Sequence, residues 1–515
     1  MIFERKPLKK RLKQMKKLTS LFTLVMLVVA VSAQKPALDK KQIPSPVFDA
    51  DTQLVDLYWK AWELAWDHVK YQENVPQSPY IDEAFSDDWI WIWDTCFMMH
   101  FCKYAPELFP GIESLDNFYA PFYDGVKTSA AIHILDNPPL FAWSELAYFR
   151  FTNDTERIKR VVQQKQYLQK HFQWFNSVRP GVKLENVKHY GVCLEKTADG
   201  FRWEGGRSGM DNTPRGRRGE KATRERPNNP KMLWVDAISQ QGLAARSIAE
   251  LASALNDKAM AKKWDKEYNA IAEKVNKLYW NSIDGIYYDI HEESKAHMKC
   301  KTLASYWPML AQMCSKKQAR QMVAHIQNPK EFGGNNPWVT LARSDADFVA
   351  EDGNYWRGAV WLPTAYMGIK ALQNYGFINE ANESAWKLLQ HMKNTYLDYT
   401  PHTIWECYSP NKNEPARHGS KRVRPDFCGW SALGPISIFI ENVLGFYNVD
   451  APKNEVHWNL HHKKRHGIKQ LRFGKVITSI IYEKGEITVT SNKSYQLVVN
   501  GKKYKVGKGE NRFRF

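Results

Sequence analysis

Between residues 34 and 450 apolar side chains recur at helical spacing in segment after segment, and the segments alternate in kind. Leu54–Tyr71 carries Leu57, Trp59, Trp62, Leu64, Ala65 and Trp66 on one face. Further helical patterns run over Leu140–Phe151, Thr155–Phe175, Ala237–Leu255, Ala259–Tyr279, Leu303–Met313, Lys317–Ile326, Trp361–Tyr375, Glu380–Tyr396 and Ala432–Val443. Ala237–Leu255 is apolar and rich in alanine, and Ala259–Tyr279 behind it is charged. A helix that is apolar all round must be enclosed, and its amphipathic neighbour can do the enclosing. The expected architecture is therefore mainly α: an (α/α)6 toroid of helical hairpins, with inner and outer helices in turn.

The pattern breaks in three places. Residues 200–230 and 398–430 are polar stretches rich in Gly, Arg and Asn, too long for idle connections. After about residue 450 the period drops to two. Lys475–Tyr482, Glu486–Ser491, Tyr495–Val499 and Lys502–Val506 read as strands, and Asn500-Gly501 is a two-residue hairpin turn. The expected organisation is a leader over 1–33, an (α/α)6-barrel catalytic domain over 34–450 and a small basic antiparallel β appendage over 451–515.

A formal charge of +18 suggests nucleic acid until it is located. Residues 1–33 hold eight basic residues and one acid, and residues 451–515 hold fifteen and four, so the body between them is neutral. No global basic field drives its chemistry, and nucleic acid is not the expected partner. Lys9–Lys17, the apolar run Leu21–Val31 and Val31-Ser32-Ala33 have the order of a cleavable signal peptide. That points to a secreted or periplasmic protein with no stable membrane insertion after cleavage; an N-terminal anchor is the alternative. Seven cysteines, an odd number without repeated spacing, do not make a disulfide framework, and no CxxC supports structural zinc.

Chemistry concentrates where acids stand beside tryptophans. Trp91-Ile92-Trp93-Asp94 could stack a sugar ring and accept bonds from its hydroxyls, or Asp94 could simply cap the helix that follows. Asp211 lies behind Gly205, Gly206 and Gly209 and could be a pocket acid or an Asx turn. Glu406, between Trp405 and Tyr408, could hold a water as base or pair with Arg417, Arg422 or Arg424. In Tyr355-Trp356-Arg357-Gly358-Ala359-Val360-Trp361, Arg357 sits between two tryptophans at an expected helix mouth; it could bind an acid or bridge to Asp352. His457, His461, His462 and His466 lie beside Lys463-Lys464-Arg465 and read as a solvated surface rather than a metal site. No GxSxG, P-loop or HExxH is present.

In order, Trp93-Asp94, Ser208-Gly209-Met210-Asp211-Asn212, Tyr355-Trp356-Arg357-Gly358 with Trp361, Trp405-Glu406-Cys407-Tyr408 and Phe427-Cys428-Gly429-Trp430 resemble glycoside hydrolase family 63 and the related trehalases over residues 50–445. The large N-terminal β domain of the eukaryotic processing glucosidases and the arginine-rich trehalase signature are missing. The resemblance implies an inverting, exo-acting α-glycosidase for α-glucosides or α-mannosides, sugar–glycerate compounds included, with no metal or cofactor. It implies Asp211 as general acid and Glu406 as general base, a drier setting for Asp211, and a water between the two carboxyls. Trp91, Trp93, Asp94, Gly209, Trp356, Arg357 and Trp361 are implied to hold the sugar; Asp236 matches an acidic helix start. Two alternatives remain: a lyase or epimerase on the same toroid, with His402 the nearest imidazole, and a non-catalytic glycan-binding protein.

Overall fold

The computed structural model describes residues 35–83, 89–216 and 230–515. The expected leader lies outside the described residues. Residues 41–515 form one compact unit.

Twelve helical segments alternate between an outer and an inner ring. The outer ones are α1 (Thr52–Asp67), α3 (Asp116–Tyr123), α5 (Tyr167–Ser177), α7 (Lys258–Leu278), α9 (Lys316–Gln327) and α11 (Ile378–Asp398). The inner ones are α2 (Ile92–Cys102), α4 (Phe141–Thr152), α6 (Val235–Ala254), α8 (Trp307–Leu310), α10 (Leu362–Asn374) and α12 (Gly434–Val443). Burial separates the rings as composition suggests: every residue of α2 and α12 is buried, whereas α7 buries only Ala261, Trp264, Tyr268 and Val275. Each inner helix packs on the next, and α12 returns to α2, so the ring closes. The expected (α/α)6 toroid is thus present.

Departures from the expected helices have local causes. Thr155–Phe175 is not one helix: a π-turn over Lys159–Gln164 and a left-handed Gln166 (φ 53°) break it before α5. Leu303–Met313 divides into a 3-10 turn and α8, because Pro308 brings no N–H to the ladder. Ala432–Val443 becomes a 3-10 turn and a π-helix with Pro435 in its first turn. Asp94 does not cap α2: Trp91 holds that position and Asp94 lies inside the first turn.

The β region begins at Asn448 and takes a strand from the N-terminal side. β1 (Ser45–Phe48) pairs with β4 (His466–Phe473), followed by β5 (Val476–Glu483), β6 (Glu486–Ser491) and β9 (Gly509–Arg514), all antiparallel. The second sheet orders β2 (Asn448–Asp450), β3 (Glu455–Trp458), β7 (Tyr495–Val499) and β8 (Lys502–Val506); its β3–β7 pair is parallel. Phe473 meets Tyr495 and Tyr504 meets Phe513 between the sheets. The Asn500-Gly501 turn is present, with φ 47° and 84°, joining β7 to β8.

Of the four histidines expected on a solvated surface, His461 is exposed and His457 half-buried, but His462 and His466 are packed. His466 is buried against Trp458 and Tyr482, and His462 packs on Phe48 beside Trp386. Burial pushes both imidazoles down to about 4, so they serve as neutral aromatic packing. All seven cysteines are buried, and none forms a disulfide.

Candidate active site

The acidic–aromatic segments converge at one end of the inner ring, where the helices begin. Asp94 is in the first turn of α2, Trp361 caps α10, and the Asp211 and Glu406 loops precede α6 and α12. Helix N-termini carry partial positive charge, so this is the end of the toroid that tolerates carboxylates best.

The Asp211 loop is shaped by glycines. Gly209 is left-handed (φ 83°), and a Cβ there would stand 2.9 Å from the Trp93 indole. Gly205 packs so tightly that a Cβ would meet the Asp211 carbonyl at 2.8 Å. Asn212 then clamps this loop to the next: its Nδ2 donates to the Asn354 carbonyl (2.9 Å), and its Oδ1 accepts from the Trp356 N–H (2.7 Å). Asn354 and Tyr355 are themselves left-handed (φ 30° and 67°), strain that the clamp holds in place. Asp236 is structural: with Asp289 it sandwiches the buried Arg215, at 2.7 and 2.5 Å.

Glu406 is buried, 3% exposed, and gripped on both oxygens. The Tyr355 hydroxyl donates to Oε1 at 2.6 Å and the Arg424 N–H to Oε2 at 3.2 Å. The backbone bonds Val360–Tyr408 and Tyr408–Val360 tie its loop to the Tyr355 loop. Of the three arginines considered as partners, only Arg424 reaches it; Arg422 pairs with Glu414 and Arg417 with Asp352. Burial raises the Glu406 carboxyl, and the Tyr355 and Arg424 donors hold the rise back.

Asp94 is buried too, and its Oδ1 accepts no hydrogen bond among the described residues. Burial raises it well above the ordinary range, and the nearby charges of Asp82, Asp211 and Glu406 add to that. Asp94, Asp211, Glu406 and Tyr355 are therefore electrostatic neighbours in one site. The expected dryness is inverted: Asp211 is exposed and Glu406 is the enclosed carboxyl.

Trp93 is buried over Gly209, while Trp91 is half-buried and stacked on His133 at 4.6 Å. Trp356 and Trp361 stack on each other at 4.0 Å, with Trp430 against Trp361. Arg357 bridges to Asp347 at 2.6 Å, not to Asp352. His402 lies apart on the Tyr396 carbonyl. The sequence reasoning gave no role to Tyr355, to His418 stacked on its ring at 4.1 Å, or to Glu83, a fully buried carboxyl beside Asp82 raised chiefly by burial. Tyr355 stands inside a motif whose signal comes from its tryptophans, and nothing local marks His418 or Glu83. No group of three or more His, Cys, Asp or Glu among the described residues is arranged to hold a metal ion.

The family model of the mannosylglycerate hydrolase MGH1-like glycoside hydrolase domain matches residues 117–427. The chain belongs to this family. It is a glycoside hydrolase. An uncharacterised protein of Borreliella burgdorferi is 26% identical over 90% of this chain and 95% of its own length. The mannosyl-oligosaccharide glucosidase of Saccharomyces cerevisiae is 26% identical over 56% of this chain, which spans only 35% of that enzyme. Among solved structures, the family 63 mannosylglycerate hydrolase of Thermus thermophilus, determined in complex with glucose, superposes with a TM-score of 0.55 at 15% identity, covering 74% of this chain and 99% of that one. Such a likeness supports the fold. No helix among the described residues is long and apolar enough to cross a membrane.

Proposed function

We propose that this glycoside hydrolase is an inverting, exo-acting α-glycosidase that cleaves α-glucosidic or α-mannosidic bonds of small glycosides, with Glu406 as base and Asp211 as acid. The observation that carries the proposal is the double grip on Glu406. Its two bonds fix the carboxylate in one orientation and leave lone pairs for a water. Its raised pKa makes it a stronger base than a free glutamate. Inversion requires that water to attack from the face opposite the leaving oxygen, about 6.5–9.5 Å separating the two carboxyls.

Asp211 donates its proton to the glycosidic oxygen. Asp211 is exposed, and a leaving group seated on its loop removes water from it, which disfavours the charged form. Asp94, with a free buried oxygen, accepts from a hydroxyl of the sugar ring, and Trp93 supplies the apolar wall. The Thermus relative is a mannosylglycerate hydrolase, and a sugar–glycerate compound is the substrate class we favour here. Its carboxylate would find Arg424 and His418, whose charges act on Glu406. Tyr355 and His418 would suit a lyase, but the Tyr355 proton is committed to Glu406.

The deciding test is proton NMR of hydrolysis across α-glucosides and α-mannosides, the glycerate conjugates among them. The β-anomer as first product supports the assignment; the α-anomer overturns it. For residues 1–33 we infer a cleaved leader and a secreted or periplasmic protein, checked by whether the mature chain starts at Gln34.

A further inference from the structure

On the outer flank of the toroid, a groove of about 530 Å³ lies between α11, the loop that follows α9 and the loop that follows Glu406. That volume falls within the ordinary range for ligand sites, about 300–1,000 Å³. Its walls are unusually rich in amides: Asn335, Asn336, Asn394, Asn411 and Asn413 all line it. The side-chain amides of Asn335, Asn336 and Asn394 make no hydrogen bond among the described residues. Asn411 donates to the Ala350 carbonyl and accepts from Arg343.

Two further features distinguish the groove from a wet surface. His391 lines it and is 2% exposed, yet neither ring nitrogen has a hydrogen-bond partner. Burial holds this imidazole down to about 4, so at neutral pH it offers one donor and one acceptor. Trp386, half-buried, adds an indole to the same wall.

Hydrogen-bonding capacity decides the class of ligand. Arg343 lines the groove and keeps its charge, but most of its N–H groups are spent on the carbonyls of Gly333, Asn336 and Pro410 and on the Asn411 amide, so it cannot fork onto a carboxylate. Lys387 is paired with Glu383. What remains is amide, neutral imidazole and indole. An amide presents a donor and an acceptor side by side, which matches a vicinal diol, and an indole covers the apolar face of a pyranose.

We propose that this groove is a second carbohydrate site, separate from the candidate active site, that binds a neutral oligosaccharide of two or three residues. It lies behind the loop that carries Glu406: Pro410 and Asn411 line the groove, and the His391 ring meets Tyr408 edge-on at 5.7 Å. Binding here needs no hydrolysis and stands whether or not the proposed reaction is right.

The test is calorimetric titration of the full chain with maltotriose, α-mannotriose and, as an acidic control, a tri-uronate. A hydrolysis-defective Glu406→Gln protein serves as the cell sample. The expected result is a weak isotherm for a neutral trisaccharide that falls at least tenfold in affinity in Asn335→Ala/Asn394→Ala and in Asn394→Trp, which fills the groove. Neither change should alter kcat/KM on a small aryl glycoside in the Glu406 background. An isotherm unchanged by both variants overturns the proposal, as does its absence with either neutral probe at tens of millimolar. Preference for the tri-uronate overturns the assignment to neutral glycans.

Discussion

The two ends of the inner ring bury the same chemical group with opposite results. At the end where the helices begin, Asp94 and Glu406 lie among other carboxyls, and burial raises both. At the end where they finish, Glu441 is equally buried but receives Lys103 at 3.1 Å, Lys370 at 2.8 Å and the Tyr104 hydroxyl at 2.8 Å. Its carboxyl is held down to about 2. Burial pushes up in both places; the partners differ. A fully paired carboxylate supports the fold, and an under-paired one is free to act on a ligand.

The contrast can be broken in order of effect. Glu406→Gln and Asp211→Asn should each cut turnover by about 10²–10⁴-fold and leave the circular dichroism melt nearly unchanged; loss of folding would make these groups structural. Glu441→Gln should do the reverse. Removing one member of a buried charge cluster costs about 3–5 kcal/mol, with activity per folded molecule preserved.

The sign in pH follows for Glu441. Its folded pKa is depressed, so its stabilisation is present above the unfolded value and is lost as pH falls toward about 2. Denaturant melts of wild type and Glu441→Gln should therefore converge between about pH 5 and about pH 2.

Tyr355→Phe removes the proton given to Glu406, a bond to a charged group worth about 1.5–3 kcal/mol. The acid limb of kcat/KM should move to higher pH, because the Glu406 anion loses a donor. A limb that stays in place would show that the titrating group is another one.

Asp94→Asn is the smallest effect on stability and opposite in sign to Glu441. A raised folded pKa means that the native state keeps a proton the unfolded chain has released, so stability falls as pH rises past the ordinary aspartate value. The amide should melt higher at neutral pH, by about 1 kcal/mol, with the gain vanishing below about pH 4. A variant that is less stable at neutral pH would show a partner holding the carboxylate.

Much of the toroid was legible in the chain because inner and outer helices differ in composition. α6 and α7 fall within two residues of their expected ends at both termini. Where legibility failed, the backbone did something that periodicity does not encode: the π-turn over Lys159–Gln164, or α12 wound as a π-helix. α3 escaped because it is eight residues long and contains Pro121. In the site, motifs containing tryptophan and acid located the right loops. The environment of each carboxyl was not legible: whether Asp211 or Glu406 is enclosed depends on residues such as Tyr355, from another loop, and Arg424, folded back from farther along the same one. Arg357 shows the same limit, since Asp352 is the nearer in sequence and the fold selects Asp347, ten residues away.

β1 pairs with β4, and α1 packs against α12, with Phe48 and Tyr58 both touching Phe439. The first and last parts of the ring thus complete each other across nearly 400 residues of chain. A nascent polypeptide emerging from the ribosome cannot satisfy its opening strand until residues 466–473 have been made. Early segments must wait with apolar surface uncovered, and contacts of such long sequence separation form slowly. A truncation that removes only β4 onward should therefore be felt first at Ser45–Phe48, at the far end of the gene.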